Sequence, residues 1–130
     1  MKIRVYYEDT DAGGIVYHTK YINFCERARS EMFFQKGLSP HNEDKFFVVS
    51  SIEAKFLGSA VLGDILDVKT SVIQVKKFSI ILLQEIFLAE SATHKKEEIK
   101  LFSMNVKVAY IQNGKPIQIP QDQMKILVGE

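Results

Sequence analysis

The chain has 130 residues, 46% hydrophobic and 25% charged, with a formal net charge of +1. That length suits one core and is too short for two ordinary domains, and the composition is that of a soluble globular protein rather than a disordered or fibrous one. The near-neutral charge argues against a dedicated nucleic-acid binder, and a single cysteine excludes an intrachain disulfide framework and a cysteine-rich zinc site.

Lys2 to Glu8 reads as a first strand with Ile3, Val5 and Tyr7 on one face. These residues contain no apolar signal core, and no apolar run in the chain is long enough to span a bilayer, so a cytoplasmic location is expected. The next stretch, Tyr7-Glu-Asp-Thr-Asp11-Ala-Gly-Gly-Ile-Val-Tyr-His18, puts an acid on a glycine turn just before a helical pattern. Gly13 and Gly14 allow backbone angles that side chains disfavour, so the loop can turn tightly and bring N–H groups close to a ligand. The following helix aims its unpaired N–H groups at the same place. A carbonyl oxygen gaining negative charge is stabilised by such a cradle while Asp11 attacks directly or activates a water, which is the chemistry of acyl transfer to water.

From about Thr19 to Lys36, Tyr21, Phe24, Cys25, Ala28 and Met32 recur at helical spacing opposite Lys20, Glu26, Arg27, Ser30 and Glu31. Gly37 suits the end of that helix and Pro40 cannot continue it. The remainder reads mainly as strand. Phe46 to Leu57 is β-rich, Leu62-Gly-Asp64 marks a turn, and Ile65 to Val75 is a second run. A turn near Lys76-Lys77 leads to Ser79 to Glu90, apolar on both faces and therefore expected in the sheet centre with both faces covered. Glu90 to Glu98 is polar and reads as a loop. Phe102, Met104, Val106, Val108 and Tyr110 then alternate with Ser103, Asn105, Lys107 and Ala109, the period of a half-buried strand. Asn113-Gly114 turns the chain, and Pro120 opens a short helix through Lys125 to Val128. One early helix followed by about five strands predicts an α+β domain, a curved antiparallel sheet wrapped around that helix. Such a sheet leaves edges and a face to cover, so a homo-oligomer is expected over a monomer.

The segment Tyr7-x-Asp9-Thr-Asp11-Ala-Gly-Gly-Ile-Val-Tyr-His18 resembles the hotdog-fold thioesterases of the 4-hydroxybenzoyl-CoA thioesterase family, in their YbgC-type acyl-CoA branch. The likeness runs on through Lys20-Tyr21-Ile-x-Phe24-x-Glu26-Arg27-Ala28-Arg29-x-Glu31, Leu62-Gly-Asp64-Ile-Leu, and Gly114-Lys-Pro116 with Ile119-Pro120. Gly58-Ser59-Ala60 and Lys76-Lys77-Phe78 depart from the family pattern, which leaves the chemistry intact and the substrate preference open. The resemblance implies that Asp11 is the catalytic carboxylate, as nucleophile or general base, and that the His18 N–H polarises the thioester carbonyl with its imidazole also at hand. It implies that Tyr7 hydrogen-bonds the acid or the water, that Gly14 lies against the substrate, and that Val48, Val49, Ser50, Lys76 and Lys77 follow the CoA arm, the lysines meeting its phosphates. It also implies a dimer, or a dimer of dimers, whose sites draw on two chains. No metal or redox cofactor is required, coenzyme A being part of the substrate. An acyl-carrier-protein thioester is a further substrate class, and the YbgC likeness connects the chain with membrane-lipid metabolism at the periphery of the inner membrane.

Each residue also has a structural reading. Asp residues commonly close turns and cap helices, and Asp9 is read that way. Tyr7 on an alternating strand also reads as core or interface filler, and Lys76 and Lys77 read as solvated lysines that only the resemblance raises above a surface role. Cys25 lies on the apolar stripe and reads as a buried, inert thiol rather than a nucleophile. His41 and His94 fall in polar loops. The expected function is hydrolysis of an aliphatic or fatty acyl-CoA. Its alternatives are a hydroxyacyl-thioester dehydratase of the same fold and a non-catalytic acyl-CoA or carrier-protein scaffold.

Overall fold

In the computed structural model, which describes residues 1–91 and 98–129, the chain forms β1 (Lys2–Arg4), a 3-10 turn (Tyr7–Asp9), α1 (His18–Phe34), β2 (His41–Asn42), β3 (Lys45–Phe56), β4 (Ile65–Val75), β5 (Ser79–Glu90), β6 (Ile99–Gln112), β7 (Lys115–Pro116) and α2 (Gln121–Leu127). The strands join in one sheet of order β1-β4-β5-β6-β3-β2, with β7 beside β6. β5 is central, as its apolar sequence predicts. Its coverage differs from that expectation: Ile80, Leu82, Gln84 and Ile86 are fully buried, while Ile81, Leu83, Glu85 and Phe87 on the other face are only half-buried. The buried face carries a polar residue because Gln84 Nε2 donates to the Cys25 carbonyl at 2.9 Å.

The chain folds as two compact units, and α1 and the strands β3, β4, β5 and β6 each contribute to both. The first comprises residues 1–28, 54–69 and 84–104. Its core holds Val5, Tyr21, Phe24, Cys25, Leu66, Ile86, Phe102 and Met104. Cys25 is fully buried, in keeping with the reading as a packed thiol. The Met1 ammonium pairs with Asp67, Lys69 with Glu98 and Lys100 with Glu85, and the Lys69 and Lys100 ammonium groups lie 4.5 and 5.8 Å from the Phe87 ring centre. The exposed apolar face of that ring is thereby covered by cation–π contacts.

The predicted strand from Lys2 to Glu8 is shorter than expected. β1 ends at Arg4 because the Asp9 carboxylate accepts the Tyr6 N–H at 2.9 Å and the Asp9 N–H donates back to the Tyr6 carbonyl, closing a 3-10 turn. Tyr7 is therefore on that turn, 80% exposed, rather than on a strand face.

The second unit comprises residues 29–53, 70–83 and 105–129. Helix α1 ends here at Phe34, two residues before the predicted Lys36. Gly37 takes a φ of 73° and the Leu38 N–H reaches back to the Phe33 carbonyl at 3.0 Å, satisfying the last turn. Phe33 supplies the deeply buried contact and Met32 is only half-buried, because Phe33 packs on Phe47 (ring centres 5.5 Å), which in turn meets Tyr110 at 4.8 Å. His41 is not in a loop as expected. It pairs with Phe46 in the β2–β3 hairpin, its imidazole stacked on the Phe46 ring at 5.2 Å. β6 begins at Ile99, earlier than the predicted Phe102, and alternates as predicted. His94 and most of the predicted Glu90–Glu98 loop lie outside the described residues.

Candidate active site

The loop between the 3-10 turn and α1 is a small closed structure in the first unit. Thr10 and Val16 form an antiparallel bridge, the Asp11 N–H donates to the Ile15 carbonyl at 2.9 Å, and the Gly14 N–H donates to the Asp11 carbonyl at 3.0 Å. Gly14 closes this turn with a φ of 82°, a conformation that a residue with a Cβ resists. Gly13 has a different task. Its N–H donates to Asp11 Oδ1 at 2.8 Å, and a Cβ there would come within 3.2 Å of that oxygen. Gly14 thus closes the turn and Gly13 fixes one oxygen of the exposed Asp11 carboxylate.

Two further strands of contact hold the loop in place. The Val16 N–H donates to the Ala60 carbonyl at 2.9 Å and Ile15 bridges Val61, so the loop lies along the segment that follows β3. The Tyr17 N–H donates to the Asp9 carbonyl at 2.9 Å. Asp9 itself is buried, and its Oδ1, which makes no hydrogen bond, has the Lys20 ammonium at 3.6 Å as an ionic partner. Asp9 therefore has a structural role, as its sequence context suggests.

Helix α1 starts at His18, and its first N–H groups have no acceptor within the helix. That of Lys20 is taken by the Tyr17 carbonyl at 2.8 Å. Those of His18 and Thr19 face the end where the glycine loop enters, with the positive end of the helix dipole behind them. The His18 side chain is exposed, its ring 4.6 Å from that of Tyr17 and in a T-shaped contact with Phe56 at 6.1 Å. Asp11, Gly14 and His18 are thus brought onto one loop-to-helix segment. Tyr7 joins them through its backbone, its carbonyl accepting the Thr10 N–H at 3.1 Å and the Thr10 hydroxyl at 2.9 Å. Exposed Tyr6, Tyr7, Ile15, Tyr17, Phe56, Leu57 and Leu62 all lie in the two segments flanking this site.

The residues assigned to the CoA arm belong to the second unit. Val48, Val49 and Ser50 are consecutive on β3, with the Ser50 hydroxyl donating to the Lys107 carbonyl at 3.3 Å. Lys76 and Lys77 occupy the β4–β5 turn. The Lys76 N–H donates to the Ser79 carbonyl at 2.8 Å, the Lys77 carbonyl accepts the Ile119 N–H at 3.1 Å, and the Lys77 ammonium lies 5.5 Å from the Phe78 ring centre.

Two supporting residues escape sequence reasoning. Asp64, which the sequence places in a turn and in the family likeness without a role of its own, is buried and accepts the Val61 N–H through Oδ2 at 2.9 Å, while Gly63 at φ 90° lets the turn close. Tyr21, read as core filler, accepts the Ala60 N–H through its hydroxyl at 3.0 Å. Burial pushes the Tyr21 phenol above its ordinary pKa, the Ala60 hydrogen bond opposes that rise, and the Asp64 carboxylate adds to it. Among the described residues no group of three or more His, Cys, Asp or Glu is placed to hold a metal ion, and no helix is long and apolar enough to cross a membrane.

Residues 13–94 match the family model of the thioesterase superfamily, a span that includes Gly13, Gly14 and His18 and begins just after Asp11. The chain is 40% identical over 124 residues to the acyl-CoA thioesterase YbgC of Helicobacter pylori, covering 93% of each. A probable thioesterase from Bartonella henselae superposes with a TM-score of 0.77 at 34% identity, covering 92% of this chain and 96% of the other. A mutant 4-hydroxybenzoyl-CoA thioesterase crystallised with 4-hydroxybenzoyl-CoA superposes with a TM-score of 0.83 at 18% identity over 98% and 96% of the two chains, a likeness of fold. The sheet and helix are those of the hotdog fold, and the chain belongs to the thioesterase superfamily, in the branch of the YbgC enzymes.

Proposed function

We propose that the protein hydrolyses the thioester of an aliphatic or fatty acyl-CoA to the free acid and coenzyme A. The observation that carries this reading is the Asp11 carboxylate, held by the Gly13 N–H in a glycine loop that runs straight into the start of α1. The thioester carbonyl oxygen would lie at the N–H groups of the helix start, where charge that develops on it is stabilised. With Asp11 Oδ1 engaged by Gly13, Oδ2 is the atom that acts. As a general base it takes a proton from water while the water oxygen attacks the carbonyl carbon. The tetrahedral intermediate then collapses, the C–S bond breaks, and the proton passes to the departing thiolate. As a nucleophile it forms an acyl anhydride with loss of the thiolate, and water then cleaves that anhydride. His18 and Tyr7 supply polar groups near the reacting centre. Val48, Val49, Ser50, Lys76 and Lys77 are assigned to the CoA arm, with the two ammonium groups meeting phosphate. No metal or redox cofactor takes part in either route. Acyl-carrier-protein thioesters are a second substrate class, and a cytoplasmic site of action, extending to the inner-membrane periphery, fits the family likeness.

Release of free thiol from acyl-CoAs of graded chain length tests this directly, and turnover with at least one aliphatic acyl-CoA is expected. Water loss from a hydroxyacyl-CoA without thiol release would assign a dehydratase instead. Binding with neither reaction would assign a scaffold.

The working unit proposed is a homo-oligomer built from dimers. Beyond Phe47, β3 has β6 on one side and no strand on the other among the described residues, and Val49, Ile52 and Phe56 along it are 45%, 38% and 49% exposed. A long, apolar, unpaired strand of this kind is what a second copy covers. At ~25 cal/mol per Å² of apolar surface buried, pairing such edges is favourable before association costs are subtracted. Sedimentation and light scattering should show no monomer at assay concentration, and a fully active monomer would overturn the proposed assembly.

A further inference from the structure

Tyr21 is the first residue of the buried face of α1, and it touches the candidate site from two directions. Its hydroxyl oxygen accepts the N–H of Ala60, a fully buried residue. The carbonyl of the same Ala60 accepts the Val16 N–H at 2.9 Å, and the neighbouring Val61 bridges Ile15. Ala60 is therefore the post on which the far arm of the Asp11 loop hangs, and the Tyr21 hydroxyl is what its amide holds. From the other direction, the Tyr21 ring is stacked on Phe102 at 5.5 Å and edge-on to Phe56 at 6.2 Å. Phe56 packs against Phe102 at 5.2 Å and meets the His18 imidazole in a T-shaped contact at 6.1 Å.

We infer that Tyr21 is a positioning residue for this reaction, setting the loop that carries Asp11 through Ala60 and the His18 imidazole through Phe56. The inference rests on the loop being the catalytic one. A buried N–H that loses its acceptor must either stay unsatisfied or move toward water, and the Ala60 segment can move only by taking Val16 with it. The segment is not free to yield elsewhere. The Leu57 and Gly58 N–H groups both donate to the Leu101 carbonyl, at 2.9 and 3.1 Å, and a Cβ on Gly58 would come within 3.0 Å of Leu101 Cδ2. On its other side the Val61 N–H is held by Asp64. With both ends tied, the loss of one hydroxyl is felt mainly at Ala60 and the Asp11 loop.

Tyr21→Phe removes that hydroxyl and keeps the ring stack. Displacing a reacting group by a fraction of an ångström costs turnover more than binding, so kcat per folded chain should fall roughly tenfold with KM for the acyl-CoA nearly unchanged. Hydrogen exchange at the Ala60 and Val16 amides should quicken while the amides of β5 stay protected. Ile86→Val, a core variant outside the site, serves as the control: it should lower stability and leave kcat per folded chain at the wild-type value. Wild-type kcat and unchanged exchange in Tyr21→Phe would overturn the inference, as would an equal fall in kcat in Ile86→Val. Parallel measurement of Asp11→Asn separates the two levels. If that variant is inactive and Tyr21→Phe is not, only the positioning role fails; if Asp11→Asn is fully active, the catalytic loop and the positioning role fall together.

Discussion

Asp11→Asn will abolish most thioester hydrolysis and leave the fold intact. The amide oxygen of asparagine can still accept the Gly13 N–H that Oδ1 accepts at 2.8 Å, so the turn keeps its closure. What disappears is the negative charge, and with it the ability to attack a carbonyl or to take a proton from water. Loss of a central group of this kind lowers kcat on the order of 10²-fold or more. Circular dichroism and thermal unfolding should match wild type while thiol release collapses. A folded Asp11→Asn protein that turns over several acyl-CoAs at the wild-type rate would remove Asp11 from the mechanism.

The second large effect is expected at His18, where backbone and side chain can be separated. Alanine retains the N–H at the start of α1 and deletes the imidazole. If the N–H alone polarised the carbonyl, His18→Ala would keep most of its rate. A strong fall is expected instead, roughly tenfold or more in kcat, because a positioned imidazole beside a reacting centre orients or relays protons. The exposed ring has two aromatic neighbours, Tyr17 at 4.6 Å and Phe56 at 6.1 Å in a T-shaped contact. The pH–rate profile should change with it. An unchanged kcat and an identical profile would leave His18 with a backbone role only.

The parts of this structure that could be read from sequence are those decided locally. The helix showed itself through Tyr21, Phe24, Cys25 and Ala28, the last long strand through the alternation of Phe102 to Tyr110, and the tight loop through adjacent glycines next to an aspartate. Each depends on spacing or backbone freedom within a few residues. What escaped depends on partners far along the chain or on a choice between local options. Tyr7 looked like a strand residue because nothing in Tyr-Tyr-Glu announces that the Asp9 carboxylate will turn back to the Tyr6 N–H. The β5 faces could not be told apart because Ile81, Leu83 and Phe87 are as apolar as the residues that became buried, and the polar Gln84 went inward to meet a helix carbonyl. The link from Tyr21 to Ala60 joins residues 39 positions apart, and an aromatic at a helix core position gives no sign that its hydroxyl is engaged.

The order of strands in the sheet also sets an order in time. β3 is made early, yet the strand it pairs with along its length is β6, and the Leu57 and Gly58 amides find their acceptor only in Leu101. A chain leaving the ribosome can close the Asp11 loop on itself and join β1 to β4 while β3 still lacks its neighbour. Non-local pairing of this kind must first meet the entropy of closing a long loop, which slows folding relative to a helical bundle. Until β6 arrives, Val49, Ile52 and Phe56 sit on a strand with no ladder along most of its length. That interval is when the nascent chain is most exposed to wrong partners, and the Leu57 and Gly58 end of the segment that supports the candidate site is tied down only when it closes.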